Sequence, residues 1–431
     1  MKKYFNKFIK EVGIYSIALL GFISCNKNYT NPAAASSSQV LSSVTGITGV
    51  ASGLQNWYTT NRGGLVYNMI TSSGLLTNEI YVVNSGNTDE AQLGTGAGAV
   101  QNTNNIVTGM WTVANKVVYD ADNIINNISI VPDKGYASGL IAYTSIFKAM
   151  AIGDMAMFWD HVPDTVGLNV NFVTSTAGYN KAIAIINNAL SVIAATPISS
   201  AFLSSIPAGI DIPNTLYALK ARYSLFAGNY ADALSAANAV NLTAKSVFNY
   251  SSTYSNPIYA TATSTNNVFQ STDSTLGLPV GLQPNLADKR VAFYTTISSN
   301  PRFRINGFFS GVTQAIPIYL PGEIMLIKAE CYAQQNDLVN GYAQLNNVLT
   351  KTAAADPFGV GAGLTAASVI SQTDLLNQIY QNRCIELYMS GLKLADEKRF
   401  NRATTERKRS FLPYPFVERN ANSNTPSDPA F

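Results

Sequence analysis

The sequence predicts a mainly α-helical fold, in which paired helices form a scaffold that carries long loop insertions and a few short strands. Apolar residues recur at helical spacing through segments 109–128, 137–159 and 179–196. Two other segments, 84–108 and 245–316, are instead rich in Asn, Ser, Thr and Gly. We expect long loops there, and short strands over 248–270 of the second segment, where β-branched and aromatic residues lie between turn formers.

Two stretches predict helical hairpins. The first, "PNTLYALKARYSLFAGNYADALSAANAV", has turn residues at Gly228 and Asn229, and the second, "PGEIMLIKAECYAQQNDLVNGYAQLNNVLTKT", has them at Asn336 and Asp337. Both resemble a tetratricopeptide unit, which is a pair of helices with small residues at their contact. Because a long stretch of chain separates the two, they do not form a tandem array, and generic helical hairpins remain an alternative.

The first 45 residues predict an export signal, a lipid anchor and a spacer. Lysines precede a short apolar run that ends in "FISC", which resembles a bacterial lipobox with Cys25 as the lipid-bearing residue. The run is too short to span a bilayer, which takes ~20 residues. We therefore predict a signal peptide over 1–24, a lipidated flexible tether over 25–45 and one folded domain over 46–431. An ordinary signal peptide that contains a cysteine is the alternative.

Composition excludes several classes of function. The chain has 28 Lys and Arg and 25 Asp and Glu; four basic residues and one acidic residue lie in the signal segment, which leaves 24 of each sign. A neutral mature chain does not attract nucleic acid. With His161 as the single histidine and no CxxC spacing, the sequence predicts no metal site, no catalytic triad and no cofactor. We expect Cys331 and Cys384 to be buried free thiols, with a disulfide as the alternative.

The stretch "NRCIELYMSGLKLADEKRF" resembles the signature region of the SusD/RagB-like lipoproteins of Bacteroidetes, approximately E-R-R-x-E-L-x-x-E-G-x-R-x-x-D-x-x-R-[WF]. The matching residues are Arg383, Glu386, Leu387, Gly391, Asp396, Arg399 and Phe400, and the departures are Asn382, Cys384, Ser390 and Lys393. The stretch "FLPYPFVERNANSN" matches the closing motif of the family through Pro413, Pro415, Glu418 and Asn422. An earlier helix matches through Glu323, Leu326, Ala329 and Glu330, with Leu320 where an arginine is usual.

Weaker matches stand in the same order as in the family, so the resemblance covers essentially the whole chain. They are "LLTNEIY", "MWTVANKVVYDADNII", "FWDHVP" and "LADKRV". Physically, the signature residues predict a set of ion pairs that holds the C-terminal segment in place. Arg383 and Glu386 share a helix face, Asp396 and Arg399 are also three residues apart, and Gly391 can end the helix in a left-handed cap.

The resemblance implies a SusD-like fold and a non-catalytic role. Such a protein captures an oligosaccharide or another nutrient at the cell outer membrane, anchored through its lipid and facing the exterior, and delivers it to a SusC-like TonB-dependent transporter. Sugar rings need aromatic faces together with amide or hydroxyl groups. The candidate ligand-binding residues are Trp57, Tyr58, Tyr67, Tyr81, Asn84, Asn87, Asn102, Tyr294, Arg302 and Phe303. We expect Trp111 and Trp159, which lie on apolar helices, to be core residues.

Two other functions remain open from the sequence. A lipid-anchored glycoside hydrolase would need two carboxylates in a cleft, and Asp154, Asp160 and Asp164 are clustered in the chain. A helical-repeat adaptor would use its scaffold for protein contacts alone. The identity of the nutrient does not follow from the sequence.

Overall fold

The structure, a computed structural model, describes residues 37–264 and 268–431. The predicted signal peptide and Cys25 lie outside the described residues, as does most of the predicted tether. The described chain opens with a short helix, Ser37–Val40, and a second helix begins at Val44, so the last residues of the stretch predicted as tether are helical.

The described residues form sixteen α-helices joined by turns, short 3₁₀ segments and loops. They are α1 (Ser37–Val40), α2 (Val44–Thr59), α3 (Leu65–Leu76), α4 (Thr88–Thr95), α5 (Asn105–Asn126), α6 (Lys134–Phe158), α7 (Ser175–Ala195), α8 (Ser200–Leu203), α9 (Ile212–Phe226), α10 (Tyr230–Asn238), α11 (Lys289–Tyr294), α12 (Pro321–Gln334), α13 (Leu338–Leu349), α14 (Gln372–Glu386), α15 (Lys393–Arg399) and α16 (Phe416–Ala421). A single π-helical turn spans Tyr259–Thr263.

Eight short strands form four two-stranded antiparallel sheets. The strands are β1 (Ile80–Val82), β2 (His161–Pro163), β3 (Phe172–Thr174), β4 (Val247–Phe248), β5 (Phe269–Ser271), β6 (Thr295–Ile297), β7 (Phe303–Ile305) and β8 (Ile316–Pro317). The pairs are β1 with β5, β2 with β3, β4 with β8, and β6 with β7. Strands β4 and β5 lie at the two ends of 248–270, where the sequence predicted short strands, and β6 and β7 lie further along segment 245–316.

The two predicted hairpins are present with the predicted turns. Gly228 lies between α9 and α10 with φ +79°, and Asn336 lies between α12 and α13 with φ +60°. Glycine and asparagine adopt this left-handed conformation at low cost, so each helix can end there and the next can begin at once. The helices α10 and α12 pack against each other, as do α12 and α14. The hairpins therefore stack side by side in space although they are far apart in sequence.

The prediction of a long loop over 84–108 was wrong. Segment 88–95 is helix α4, a short 3₁₀ turn follows, and α5 already begins at Asn105. The acidic residues Asp89 and Glu90 occupy the first turn of α4, where the helix dipole favours negative charge. The glycines around this helix gave segment 84–108 the composition of a loop, so the sequence pattern did not indicate a helix.

The core is built mainly from helix faces. Its largest cluster joins α2 to α7 with the strands and the C-terminal segment, and smaller clusters lie between α9, α10 and α12 and between α12, α13 and α14. Within the described chain, α6 is the helix that is long and apolar enough to cross a membrane, and 89% of its most apolar window is buried in the protein. Trp111 and Trp159 are buried, as predicted, and their rings meet edge to face at 4.9 Å.

The signature residues form the predicted network of buried ion pairs, with one difference in the pairing. Arg383 and Glu386 lie on one helix face but have separate partners. Arg383 Nε donates to Asp396 at 2.9 Å, whereas Glu386 accepts from Arg290 at 3.1 Å and from Lys351 at 2.6 Å.

The remaining pairs tie the last helices to the hairpins. Arg399 pairs with Asp396 at 2.8 Å, as predicted, and also contacts Glu330 on α12. Glu323 forms a two-point pair with Arg222 of α9, at 2.6 and 2.7 Å. These pairs connect α9, α12, α14 and α15.

Gly391 and the closing motif are two further features of the C-terminal segment. Gly391 has the predicted left-handed conformation, with φ +86°, but the prediction that it caps α14 was wrong. The helix ends at Glu386, and Gly391 lies in the turn that leads into α15. The closing motif holds the buried tryptophans, because the Pro413 carbonyl accepts from Trp159 Nε1 and the Glu418 carboxylate accepts from Trp111 Nε1, both at 3.0 Å. Pro415 caps the start of α16.

Candidate ligand-binding surface

Three of the aromatic residues predicted to bind ligand are core residues instead. Tyr58, Tyr67 and Tyr294 are buried. Tyr58 donates to Asp154 at 3.0 Å, Tyr67 donates to Glu90 at 2.6 Å, and Tyr294 donates to the carbonyl of Glu386 at 2.5 Å. Burial, followed by the neighbouring carboxylates, raises the pKa of each phenol far above its usual value, so each remains a neutral hydrogen-bond donor.

Tyr58 and Tyr294 line an internal cavity together with Asp154, Arg222 and Glu323. The cavity volume is about 80 Å³. Sites for sugars and other small molecules usually span ~300–1,000 Å³, so this space is too small for a sugar, although a few water molecules would fit. Burial raises the pKa of Asp154 to about 7.

Five of the predicted residues are exposed or half-buried on neighbouring segments. Tyr81 is on β1 and is 38% exposed, and Asn84 is exposed in the turn that follows. Asn87 is half-buried and donates to the carbonyl of Asn84 at 3.2 Å, which closes this turn before α4. Arg302 is exposed beside the start of β7, with its guanidinium 5.6 Å from the centre of the half-buried Phe303 ring.

Strand β5 connects these segments. Tyr81 of β1 is paired with Gln270 of β5, and the side-chain oxygen of Gln270 accepts from the backbone N–H of Ile305 on β7 at 3.0 Å. Strand β7 in turn pairs with β6, with Phe303 opposite Ile297. We use the name strand surface for Tyr81, Asn84, Asn87, Arg302 and Phe303, which are exposed or half-buried residues on or beside β1 and β7, the two strands that β5 connects. It combines two aromatic rings with two amides and one cation, which are the groups that sugar recognition uses.

Two other predicted residues lie apart from the strand surface. Asn102 is half-buried beyond the far end of α4, where its carbonyl accepts from the backbone N–H of Phe416 at 2.9 Å. Trp57 lies on α2 and is 38% exposed, with its indole N–H donating to Asp120 of α5 at 3.3 Å. The structure therefore divides the predicted ligand-binding residues among the core, the strand surface and the face shared by α2 and α5, with Asn102 apart from all three beside the start of α16.

Sequence reasoning missed Tyr119, which is 51% exposed on α5 near Trp57 and Asp120. A signal for it was present, because Lys116, Tyr119, Asp120 and Asn123 recur at intervals of three and four residues. That spacing predicts a polar face on the helix.

The carboxylates that a hydrolase would need have structural partners. Asp154 is buried in the internal cavity, and Asp160 accepts from the Tyr414 hydroxyl at 2.7 Å while lying 3.1 Å from His161 Nδ1. Asp164 is paired with Lys181. In the signature region Glu386 and Asp396 are both buried and paired with cations. None of these five carboxylates lies on the strand surface.

Two further predictions concern cysteines and metals. Cys331 and Cys384 are buried and free, as predicted, and burial raises the pKa of the Cys331 thiol to about 12. Residues 37–264 and 268–431 contain no group of three or more His, Cys, Asp or Glu side chains that could hold a metal ion.

Solved structures share this architecture over nearly the whole chain. A SusD superfamily protein from Bacteroides vulgatus matches with a TM-score of 0.70 at 14% identity, covering 90% of this chain and 99% of that one. A SusD superfamily protein from Parabacteroides distasonis matches with a TM-score of 0.67 at 14% identity, covering 92% and 100%. A SusD-like carbohydrate binding protein from Bacteroides vulgatus matches with a TM-score of 0.65 at 17% identity, covering 83% and 84%.

No protein-family model matches the sequence, and no curated protein matches it. At identities of 14–17% a structural match demonstrates a shared fold. The mainly helical architecture, the paired helices and the length of the match lead to one conclusion: the chain has the SusD fold.

Proposed function

We propose that this protein is a non-catalytic binding protein of the outer membrane, which captures an oligosaccharide or a similar nutrient and passes it to a SusC-like TonB-dependent transporter. The observation that carries the proposal is the SusD fold, shared along 83% of this chain with a protein described as a SusD-like carbohydrate binding protein. The predicted lipid anchor at Cys25 would hold the folded domain at the membrane.

We propose the strand surface as the capture site. The exposed ring of Tyr81 and the half-buried ring of Phe303 offer flat apolar faces to the C–H groups of a sugar, while Asn84 and Asn87 offer amide groups to the hydroxyls. Arg302 adds hydrogen-bond donors at the edge of the same face. The site needs no general acid or base, because capture and release break no bond.

The experiment is a binding and turnover assay on the full-length protein in detergent. Neutral oligosaccharides of different linkage are incubated with the protein, and both retained sugar and released products are measured by chromatography. The proposal predicts retention of at least one oligosaccharide with its chain length unchanged.

Two outcomes would contradict the proposal. Shortened products would indicate a lipid-anchored glycoside hydrolase. Absence of binding to every sugar, together with stable co-purification with a transporter barrel, would indicate an adaptor that works through its helical scaffold alone.

A further inference from the structure

A groove runs between helices α2 and α5 on a face that the strand surface does not include. Its volume is about 310 Å³, which is within the range of ligand sites in proteins. Trp57 and Gly53 contribute from α2, and Tyr119 contributes from α5. We call this the aromatic groove; its remaining lining residues are Val40, Leu41, Val50, Lys116, Asp120 and Asn123.

The aromatic side chains of the groove are held in place by a chain of polar contacts. Asp120 accepts from the Trp57 indole N–H and forms an ion pair with Lys116. The Lys116 ammonium lies 5.5 Å from the centre of the Tyr119 ring. A ligand therefore meets rings whose positions are already constrained, which reduces the entropy lost on binding.

The charge of the groove is balanced. Lys116 and Asp120 neutralise each other, and Asn123 adds an uncharged amide. Two exposed aromatic rings with an amide and no net charge favour a neutral, hydroxyl-rich ring over an ionic ligand. Two other grooves of the described chain have volumes of about 300 and 200 Å³. Trp111 lines the smaller of the two, but this tryptophan is only 2% exposed, so almost none of its ring face is free to contact a sugar.

Gly53 keeps the centre of the groove open. A Cβ atom placed on Gly53 would meet no described atom within 4 Å, so a side chain can begin there in open space, and a large one would occupy part of the groove. The same is true of Gly49, one turn earlier on α2, which is exposed and does not line the groove. The two glycines therefore provide a blocking position and a matched control on one helix.

We propose that the aromatic groove is a second carbohydrate site, which holds one ring of a neutral sugar against Trp57 and Tyr119. The class of the ligand rests on the proposed function, whereas the position of the site rests on the groove itself. Long sugar chains can then contact the protein at two separate places, and the linkage of two weak sites raises the overall affinity.

The fluorescence of Trp57 also provides a way to detect sugar binding in the aromatic groove. Of the three tryptophans in the chain, Trp111 and Trp159 are buried in the core, so a change in tryptophan emission on adding sugar reports on Trp57. The experiment titrates the full-length protein in detergent with maltoheptaose, cellohexaose and mannohexaose, and follows both emission and heat of binding. We expect a saturable emission change with every sugar that calorimetry shows to bind.

Three variants separate the two sites. Gly53→Leu should abolish the emission change and Gly49→Leu should retain it, with both variants folding normally by circular dichroism. Tyr81→Ala with Phe303→Ala should keep the emission change while weakening the calorimetric affinity by about tenfold or more, which corresponds to ~1.4 kcal/mol.

The outcomes distinguish failure of the groove from failure of the proposed function. If a sugar binds by calorimetry and Trp57 emission does not change, or if Gly53→Leu leaves the change intact, the aromatic groove is not a sugar site and the proposed function stands. If none of these three sugars and none of the neutral oligosaccharides of the binding assay gives either signal, sugar capture itself is contradicted at both sites.

Discussion

Individual residues show how burial changes the ionisation of acidic groups in the interior of this fold. Asp154 is fully enclosed, accepts a hydrogen bond from Tyr58, and has its pKa raised by burial to about 7. Its ordinary value is 3.8, so between these two values the folded protein holds a proton that the unfolded chain has lost. The free energy of unfolding therefore falls as pH rises from about 4 to about 7, with a slope of up to ~1.4 kcal/mol per pH unit.

Replacing Asp154 with Asn should remove this contribution, because the amide cannot ionise yet still accepts from Tyr58. Urea unfolding of both proteins between pH 4.5 and 7.5 measures the effect. We expect the stability of Asp154→Asn relative to the wild type to rise with pH. Burial also raises the pKa values of Glu79 and Glu397, to about 7 and about 8, and these groups are common to both proteins. A constant difference across the range would contradict the assignment.

The pair between Arg222 and Glu323 is a second residue-scale test. Both side chains are buried, and Arg222 also donates to the carbonyl of Ile318 at 2.8 Å. Arg222→Met leaves a buried carboxylate without its cation and should cost roughly 3–5 kcal/mol of unfolding free energy. The double variant Arg222→Met with Glu323→Leu should recover most of that loss. If the double variant lost as much unfolding free energy as the two single variants together, Arg222 and Glu323 would not be energetically coupled.

Single residues of the candidate site also show how much the sequence could predict. Ile47, Ala51, Leu54 and Tyr58 form a buried stripe at helical spacing on α2, so the pattern was sufficient to assign Tyr58 to the core and its neighbour Trp57 to the surface. No comparable signal existed for Tyr294. Its ring packs against that of Tyr388 and its hydroxyl donates to the carbonyl of Glu386, and contacts so distant in sequence leave no periodic pattern.

At the scale of elements, turn chemistry made the helical hairpins predictable. Gly228 is left-handed and an added Cβ would meet no described atom within 4 Å, so substitution there tests backbone strain without a steric clash. Gly228→Ala should lose about 1–2 kcal/mol of unfolding free energy, and Gly228→Asn should lose less, because asparagine tolerates this conformation.

Chemical denaturation of the two variants provides the comparison. Gly311 is the matched control, since its position is equally open and its backbone is not left-handed. Gly311→Ala should leave stability unchanged or slightly increased. Equal losses for alanine at positions 228 and 311 would show that the turn does not depend on backbone handedness.

Short helices and strands, whose hydrophobic patterns are weak or interrupted, were harder to predict than the helical hairpins. Helix α4 is only eight residues long and is followed by glycines, so its composition resembles that of a loop. The strands β1 (Ile80–Val82) and β5 (Phe269–Ser271) are three residues each and form a pair although they lie far apart in the sequence. Such pairings depend on the tertiary structure around them rather than on local propensity.

At the scale of the whole molecule, the helical pairs form the framework and the strand surface lies on segments inserted between them. The predicted anchor at Cys25 is testable independently of the fold. Cys25→Ser should abolish labelling by palmitate and move nearly all of the protein from the membrane fraction to the soluble fraction, with the thermal midpoint of the purified chain unchanged. Full retention of label in Cys25→Ser would place the lipid on another residue.

The central claim is that the aromatic rings of Tyr81 and Phe303 on the strand surface hold a sugar chain without cleaving it. Isothermal titration calorimetry of the full-length protein with an oligosaccharide that it retains tests this most directly, by comparing the wild type with Tyr81→Ala/Phe303→Ala and with Phe416→Ala, an exposed aromatic residue on α16. The account predicts affinity weakened by about tenfold or more in the double variant, or ~1.4 kcal/mol, and unchanged in Phe416→Ala. Equal affinity in all three proteins would contradict it.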